Sequence, residues 1–474
     1  MFLHYSGFFY LTFLGVEDME VIAQAPQPTI KCYHSIYNGH ASKLPYQDFT
    51  PESADVSGRN LLSYNFEKSI DNFDGSFSFT IKEDVENVTT PFMDKVMRLD
   101  IITISESGYQ DKIDFIGVVT TVSIGGIASN LTKSVTVSGK SITWLLSFFN
   151  INADIKAVIF QNTKENNTLK VELLSKGGKD GISIKDIVKE SIRIFEEKAF
   201  SPNAKVITNT IVGDIIKLWF GNDYIKASNE KFDFPISSNM FTDGRINVID
   251  FIKKLLPSPV YEIFGKIENN MPKLVCREAP FDNTSSAFYS INPTHLTDFT
   301  LTRTCDEVYT AFMPYIEGSS MSPDFYMNLP MDNGTNEKGY TRATRNEKKV
   351  AIYGYQLLTC SFIGYNPDPD NPSKETINTD KLKELAEKLE RWFSQLDDMY
   401  SGDLTIVNIP TEQKAGIGEW LKFAKGAFYV TSEKHSWNYG DNPMINYQVI
   451  RGGDYDGGVF KPLKKLSTVY REFE

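Results

Sequence analysis

The sequence predicts an α+β chain, mainly β, in which two antiparallel β blocks flank an α+β insert. Three observations carry that prediction. From Ser401 to Gly453, strand runs follow one another at Asp403 to Ile409, Glu419 to Phe423, Ala427 to Trp437 and Met444 to Arg451. Pro410, Gly416, Gly418, Lys425-Gly426 and Gly440 to Pro443 divide them, the pattern of an antiparallel meander or small barrel. Ser76 to Lys82 alternates, with Phe77, Phe79 and Ile81 on one face and Ser78, Thr80 and Lys82 on the other. The composition, 13% aromatic and rich in Tyr, Phe, Val, Ile and Thr, favours strands.

Length and charge set the bounds. A chain of 474 residues suggests about two to four domains, and 41% apolar residues can fill a sizeable core. The 61 acidic and 49 basic residues give a net charge of −12. That balance argues against tight nucleic-acid binding, which needs a basic face. It is compatible with a channel through which DNA passes without sticking. Cys32, Cys276, Cys305 and Cys360 form no CxxC pair and read as reduced thiols of a cytoplasmically made protein. Cys32, His34 and His40 are the nearest approach to a metal cluster, but no fourth ligand lies nearby.

Taken in order, residues 1–60 read as an N-terminal arm. Met1 to Val16 is apolar and aromatic but lacks the basic opening of a signal peptide and is short for a membrane span. It is either a packed strand or a stretch preceding a true start at Met19. Ala23 to Asn60, with Pro26, Pro28, Pro45 and Pro51, reads as irregular. Residues 61–150 form the first β domain. Its strands are Leu62 to Lys68, Ser76 to Lys82, Met97 to Ser105, Lys112 to Ile124 and Ser134 to Ser138, followed by a short helix from Ser141 to Phe149.

The insert spans 151–295. Ser183 to Lys198 is an amphipathic helix capped by Ser183, with Asp186 in its first turn. Thr210 to Phe220 and Asn247 to Leu255 are further helices, and Asn269-Asn270 turns a β pair from Tyr261 to Lys266 into Lys273 to Arg277. The second β domain spans 296–458 and opens with strands Thr297 to Thr304 and Glu307 to Ile316. Glu317 to Ala343 and Asn366 to Ser373 are polar loops. Asp380 to Tyr400 is the longest helix, with an apolar stripe of Leu382, Leu385, Leu389, Trp392, Phe393, Leu396 and Met399. The stripe fits a helix laid across the β domain better than a coiled coil or membrane helix. Residues 459–474 form a mixed tail that reads equally as a docking arm or a disordered end.

The sequence holds no GxxxxGK[ST], no HExxH and no GxSxG. His435, Ser436 and Asp441 would place a whole triad in one turn, which is not its geometry, and His435 reads as a packed residue beside Trp437. Asp397-Asp398, adjacent on a helix, would point in different directions and fail as a paired-carboxylate site. No catalytic, cofactor-binding or metal residue is predicted, and the chain reads as a non-enzyme without cofactors.

The wording of the β runs carries a resemblance. Ser401-Gly402-Asp403-Leu404, the turn Gly416 to Gly418, Phe428-Tyr429-Val430, His435-Ser436-Trp437 and Arg451-Gly452 occur in one order. Earlier come Phe77 to Ile81, Ile101 to Ile104, Phe115 to Thr121 and Val137-Ser138-Gly139-Lys140-Ser141, and Tyr353-Gly354-Tyr355 precedes the long helix. This series resembles the baseplate hub proteins of contractile phage tails and related injection machines. Tyr355 stands where an Arg is also common, and residues 1–60 have no counterpart. The resemblance implies two tail-tube-like barrels, one built on Phe77, Phe79, Ile101 and Phe115 and one on Leu404, Ile406, Tyr429 and Val449. It also implies a homotrimer closing a ring of six barrels between a hexameric tail tube and a trimeric central spike. Its place would be the virion baseplate or an injection particle, assembled in the bacterial cytoplasm among other baseplate proteins. DNA would pass the lumen without specific binding, and no segment would span a membrane. Two alternatives stay open: a receptor- or glycan-binding β protein, and a tail-associated cell-wall hydrolase.

Overall fold

The structure, a computed structural model, describes residues 28–49, 61–70, 72–84, 96–106, 112–126, 132–148, 150–152, 182–186, 188–189, 192, 210–221, 223–227, 231–232, 245–281, 288–317, 344–363, 379–407, 414–423, 426–456 and 459–462. Met1 to Val16 and the two long polar loops therefore lie outside the described residues, apart from Glu317.

Alternating apolar residues build the first block. Its strands are β1 (Thr29–Tyr37), β2 (His40–Phe49), β3 (Leu61–Ser69), β4 (Ser76–Asp84), β5 (Ile101–Ser105), β6 (Phe115–Gly126) and β7 (Thr132–Ser141). The insert adds short strands β8 (Asn150–Asn152), β9 (Ile182–Ser183), β10 (Ile225–Ala227), β11 (Lys231–Phe232) and β12 (Arg245–Asn247), then the hairpin β13 (Tyr261–Glu268) and β14 (Met271–Glu278). Beyond it come β15 (Phe288–Ser290), β16 (Leu296–Thr302), β17 (Ala311–Glu317), β18 (Thr344–Arg345), β19 (Leu357–Ile363), β20 (Tyr400–Val407), β21 (Trp420–Phe423), β22 (Gly426–Asn438), β23 (Met444–Asp456) and β24 (Val459–Pro462). The bounded α-helices are α1 (Ile211–Phe220), α2 (Val248–Leu255), α3 (Glu347–Tyr353) and α4 (Thr379–Phe393).

The chain is mainly β with some helices, organised by one 14-stranded sheet. The sheet runs β16-β20-β23-β22-β3-β4-β7-β6-β5-β1-β2, with β15, β21 and β24 attached beside it. All its pairings are antiparallel except β15 on β21. This corrects the expectation of two closed barrels. The edge of β22 does not return to close its own block; from Ser432 to Asn438 it bonds to Ser69 through Ser63 of β3 and fuses the blocks.

The two blocks share one strand order. In chain order each runs first, second, fourth, third: β3-β4-β7-β6 and β16-β20-β23-β22. Irregularities repeat as well. β3 and β4 slip register between Leu61 and Ser63, and β16 and β20 slip between Leu296 and Asp298. β6 and β7 slip between Val119 and Thr121, and β22 and β23 between Val430 and Ser432. β5 pairs Ile101 with Val118 and Ile104 with Phe115, as β21 pairs Trp420 with Tyr429 and Phe423 with Gly426.

Around the seam one face of the fused sheet is buried and the other is polar, following the alternation of the strands, whereas β5 and the opening residues of β6 and β22 are buried on both faces. Across the polar face Ser436, Asn65, Ser78, Ser138 and Thr121 stand in register. Beside them run Asn438, Ser63, Thr80, Thr136 and Ser123. Lys434 and Glu67 face each other there as opposite charges.

Several elements differ from the sequence expectation. Ala23 to Asn60 holds a regular hairpin, β1 on β2, that also pairs with β5. Pro45 is accommodated because β2 is an edge strand whose register slips between Cys32 and Tyr33. Met97 to Asp100 is not strand, since Leu99 takes a left-handed φ of 74°. The second block is interrupted: β17 leaves the large sheet and forms a three-stranded one, paired parallel with β19 and antiparallel with β18. The long helix ends at Phe393, and Leu396–Asp398 is a separate 3-10 turn.

Other expectations hold. Ser183 Oγ accepts from the Asp186 amide at 3.1 Å, and Ile184, Val188 and Ile192 are helical and buried. Thr210 and Asn247 cap α1 and α2, and Asn269-Asn270 turns the hairpin with φ of 51° and 60°. Insert and first block share one core, in which Ile116, Val118 and Leu145 meet Ile215, Val248 and Ile252. Leu385 and Leu389 of α4 reach the same core, while Trp392 packs on Trp420 and Tyr429 of the second block.

Candidate functional site

The seam between the blocks holds the densest group of buried ionisable side chains. Alternation along β3 turns Tyr64, Phe66 and Lys68 inward, and alternation along β22 turns Glu433, His435 and Trp437 inward to meet them. Glu106, following β5, is 1% exposed and collects three contacts. Tyr64 Oη donates to it at 2.9 Å, Lys414 Nζ at 2.7 Å, and His435 Nδ1 lies 2.8 Å away. Lys68 Nζ donates to Glu433 Oε1 at 2.8 Å and to the Asp114 carbonyl at 2.9 Å. The His435 ring stacks on Phe66 with centroids 4.2 Å apart, and Trp437 stacks on Tyr64. His435 Nε2 is 3.8 Å from Glu433 Oε2, too far for a hydrogen bond, so this side of the imidazole is held by charge alone.

Electrostatics fix the protonation states. Burial would raise the Glu106 carboxyl, but His435 and Lys414 outweigh it and hold the group far below the usual carboxylate range. Burial likewise opposes ionisation of Glu433, yet Lys68 and His435 hold its pKa down to about 2. Burial would lower His435, and the two carboxylates overcome it and raise its pKa. The seam is therefore a chain of alternating charges, Lys414, Glu106, His435, Glu433 and Lys68, taken from both blocks. A cavity of about 170 Å³ lies beside it, bordered by Lys68, Lys266, Lys414, Glu419, Glu433 and His435.

Two further clusters tie helices and hairpin to the second block. Arg451 is 3% exposed and places its guanidinium 3.5 Å from the Trp392 ring centroid. It also donates to the Trp392 carbonyl near the C-terminal end of α4. A cation there meets the negative end of the helix dipole. Its neighbour Gly452 admits no side chain, because a Cβ would lie 2.2 Å from the Phe428 ring. Arg451-Gly452 thus pins α4. Arg451→Ala is expected to destabilise the fold by about 2–3 kcal/mol, read from thermal unfolding, with loss of α4 protection in hydrogen exchange. In the other cluster Arg277 donates to Glu262 at 3.0 Å, to the Gly418 carbonyl at 2.6 Å and to Tyr429 Oη at 3.0 Å.

The residues weighed from sequence fall as follows. His435 is packed in the seam on the same face of β22 as Trp437, with its ring stacked on Phe66. Ser436 points to the opposite face, and Asp441 is exposed next to Asn438, so no triad forms. Cys32 is buried, His34 lies 3.2 Å from Asp100, and His40 is exposed at the hairpin turn. Among the described residues no group of three or more His, Cys, Asp or Glu is placed to hold a metal. Asp397 and Asp398 do converge, contrary to expectation. Their 3-10 turn brings both to Lys349 Nζ, at 2.5 Å and 2.6 Å. No helix among the described residues is long and apolar enough to cross a membrane. Sequence reasoning missed Glu106, Lys414, Glu433 and Lys68. The one signal for Glu433 and Lys68 was a charged residue at an inward position of an alternating strand, while Glu106 and Lys414 lie outside the strands and carried none.

No family model matches the chain, and no curated protein matches it. Solved structures do. The 43 kDa tail protein of prophage MuSo2 from Shewanella oneidensis matches at a TM-score of 0.46 and 10% identity, covering 90% of this chain and 97% of that one. A tail protein from Neisseria meningitidis MC58 matches at 0.48 and 10%, covering 92% and 98%. The E. coli c3393 protein, a type VI secretion component described as similar to T4 tail proteins gp27 and gp5, matches at 0.41 and 7%, covering 86% and 78%. Over most of its length the chain is structurally matched by phage tail proteins.

Proposed function

We propose that this chain is a non-enzymatic structural subunit of a phage-type tail or injection machine. Its role is that of a baseplate hub, a homotrimeric ring that joins a six-fold tail tube to a three-fold central spike. The observation that carries this reading is the fused sheet. Two blocks of one strand order stand side by side in one chain, joined strand to strand, with rows of hydroxyl and amide side chains running across the joint. A chain holding two like units is the natural adaptor between six-fold and three-fold neighbours, because three copies supply six units. Symmetric closure also satisfies the strand edges that a lone copy leaves open. The polar face then belongs to the lumen, where DNA or another cargo passes without specific binding.

The reading predicts the mass of the purified protein by light scattering over a range of concentrations, alone and with the product of the neighbouring gene. Three copies, or one copy that becomes a three-copy complex with that neighbour, is the expected result. A protein that keeps one-copy mass in every mixture would overturn the ring.

A further inference from the structure

The repeat within the chain assigns the contact between chains. We infer that β6 of one copy pairs antiparallel with β16 of the next, in the register that β22 and β3 use inside a single copy. This rests on the ring reading above and adds to it the edge, the register and the chemistry of the joint.

The argument uses strand edges first. In the second block the outer strands are β22 and β16; β22 is joined to β3, and β16 ends the sheet. In the first block the outer strands of the equivalent four are β3 and β6. β5 covers β6 from Phe115 to Val118, and Leu99 and Asp100 just before it bond the Val119 backbone, so among the described residues the stretch from Thr120 to Gly126 has β7 on one side and no strand on the other. The seam inside the chain thus uses the third strand of one block and the first strand of the other. The strands left with open edges are the same two kinds: a third strand, β6, and a first strand, β16. A second copy of this chain is the occupant whose edge is already shaped for each.

Register follows from the repeated slips. Val118 stands to Ile101 as Tyr429 stands to Trp420, and Thr121 to Ser138 as Ser432 to Gln448. Ile124 therefore occupies the place of His435, and Ser123 that of Lys434. Leu61 and Ser63 stand to β4 as Leu296 and Asp298 stand to β20, so Leu301 occupies the place of Phe66 and Thr302 that of Glu67. Within the chain His435 faces Phe66 and Lys434 faces Glu67. Between chains Ile124 faces Leu301, and Ser123 faces Thr302.

This explains an otherwise unplaced residue. Ile124 is 45% exposed, although it pairs with Val135 and points to the buried side of the sheet. Leu301 is half-buried on the same side of its own block. At this position the internal seam carries the buried His435 against Phe66, and the external one carries Ile124 against Leu301. Apolar contact suits a joint that forms after each chain has folded, because closing it strips no water from a charge at that position.

The test places cysteines at Ser123→Cys and Thr302→Cys in the full chain with the exposed Cys305 replaced by serine. Oxidation is expected to give covalent dimers and trimers on a denaturing gel, and neither single variant should do so. Ile124→Lys is expected to shift the assembled protein to one-copy mass without changing its circular dichroism, while Ile352→Lys, on exposed α3, leaves the mass unchanged. A three-copy mass without cross-linking, or one that survives Ile124→Lys, would overturn this joint and leave the ring standing. A one-copy mass under all conditions would overturn both.

Discussion

Replacing Glu106 with alanine is expected to cost about 3–5 kcal/mol, because it removes the carboxylate that Lys414 and His435 share and leaves two buried cations with the more distant Glu433. The two blocks should lose their joint melting, which calorimetry would register as a split or broadened transition. Glu106→Gln keeps the shape and two hydrogen bonds and should cost less. An unchanged melting curve for the alanine variant would mean the charges do not hold the blocks together. The same chain of charges sets a pH window. Glu106 and Glu433 titrate far below their unfolded value of 4.5, so their contribution is present above that value and is lost only as pH falls through the depressed folded values. His435 is raised above 6.5, so its contribution is complete below 6.5 and is lost as pH rises through the raised value. The seam should therefore weaken as pH rises beyond the ordinary histidine range and not in mild acid. Melting temperatures between about pH 5 and 9 would reveal this, and His435→Gln should flatten the alkaline limb.

Gly402→Ala is the second large effect expected. Gly402 has a φ of 152°, and a Cβ there would stand 1.8 Å from the Thr300 carbonyl oxygen of β16. No side-chain adjustment relieves a clash with backbone, so β16 must move off β20. Strain and overlap together are worth about 2–5 kcal/mol. Because β16 is also the outer edge of the sheet, the variant should lose assembly before it loses its first block. Hydrogen exchange would show β16 amides unprotected while β3 and β4 stay protected. Full protection of β16 in the variant would contradict this account.

Much of the fold was legible in the residues. Pattern and turn chemistry located the strands from Tyr400 to Asp456, the Asn269-Asn270 hairpin, the cap at Ser183 and the helices that begin at Thr210 and Asn247. These are local signals, written within a few residues of where they act. The β1–β2 hairpin was hidden because Pro45 reads as a breaker, and only the tertiary fact that β2 lies at an edge removes the objection. The seam was hidden for a different reason. His435 reads as packed, but Glu433 looks like a surface residue, and neither shows its partner until Lys68 and Glu106, hundreds of positions away, are brought beside them. The repeat between blocks was invisible in the letters because geometry persisted while chemistry did not. Ile124 answers to His435, Leu301 to Phe66 and Ile101 to Trp420, and no residue-by-residue comparison would align them.

The hydroxyl and amide face has a consequence for anything that slides along it. The Ser, Thr and Asn side chains of the two rows across the seam carry no charge, and Lys434 opposite Glu67 cancels locally, whereas Lys82, Asp298 and Asp403 place single charges of both signs elsewhere on the same face. A polyelectrolyte passing those rows meets no cluster of cations that would displace its condensed counterions, so little release entropy holds it at any one position. Its energy profile along the two rows is then shallow and depends weakly on salt.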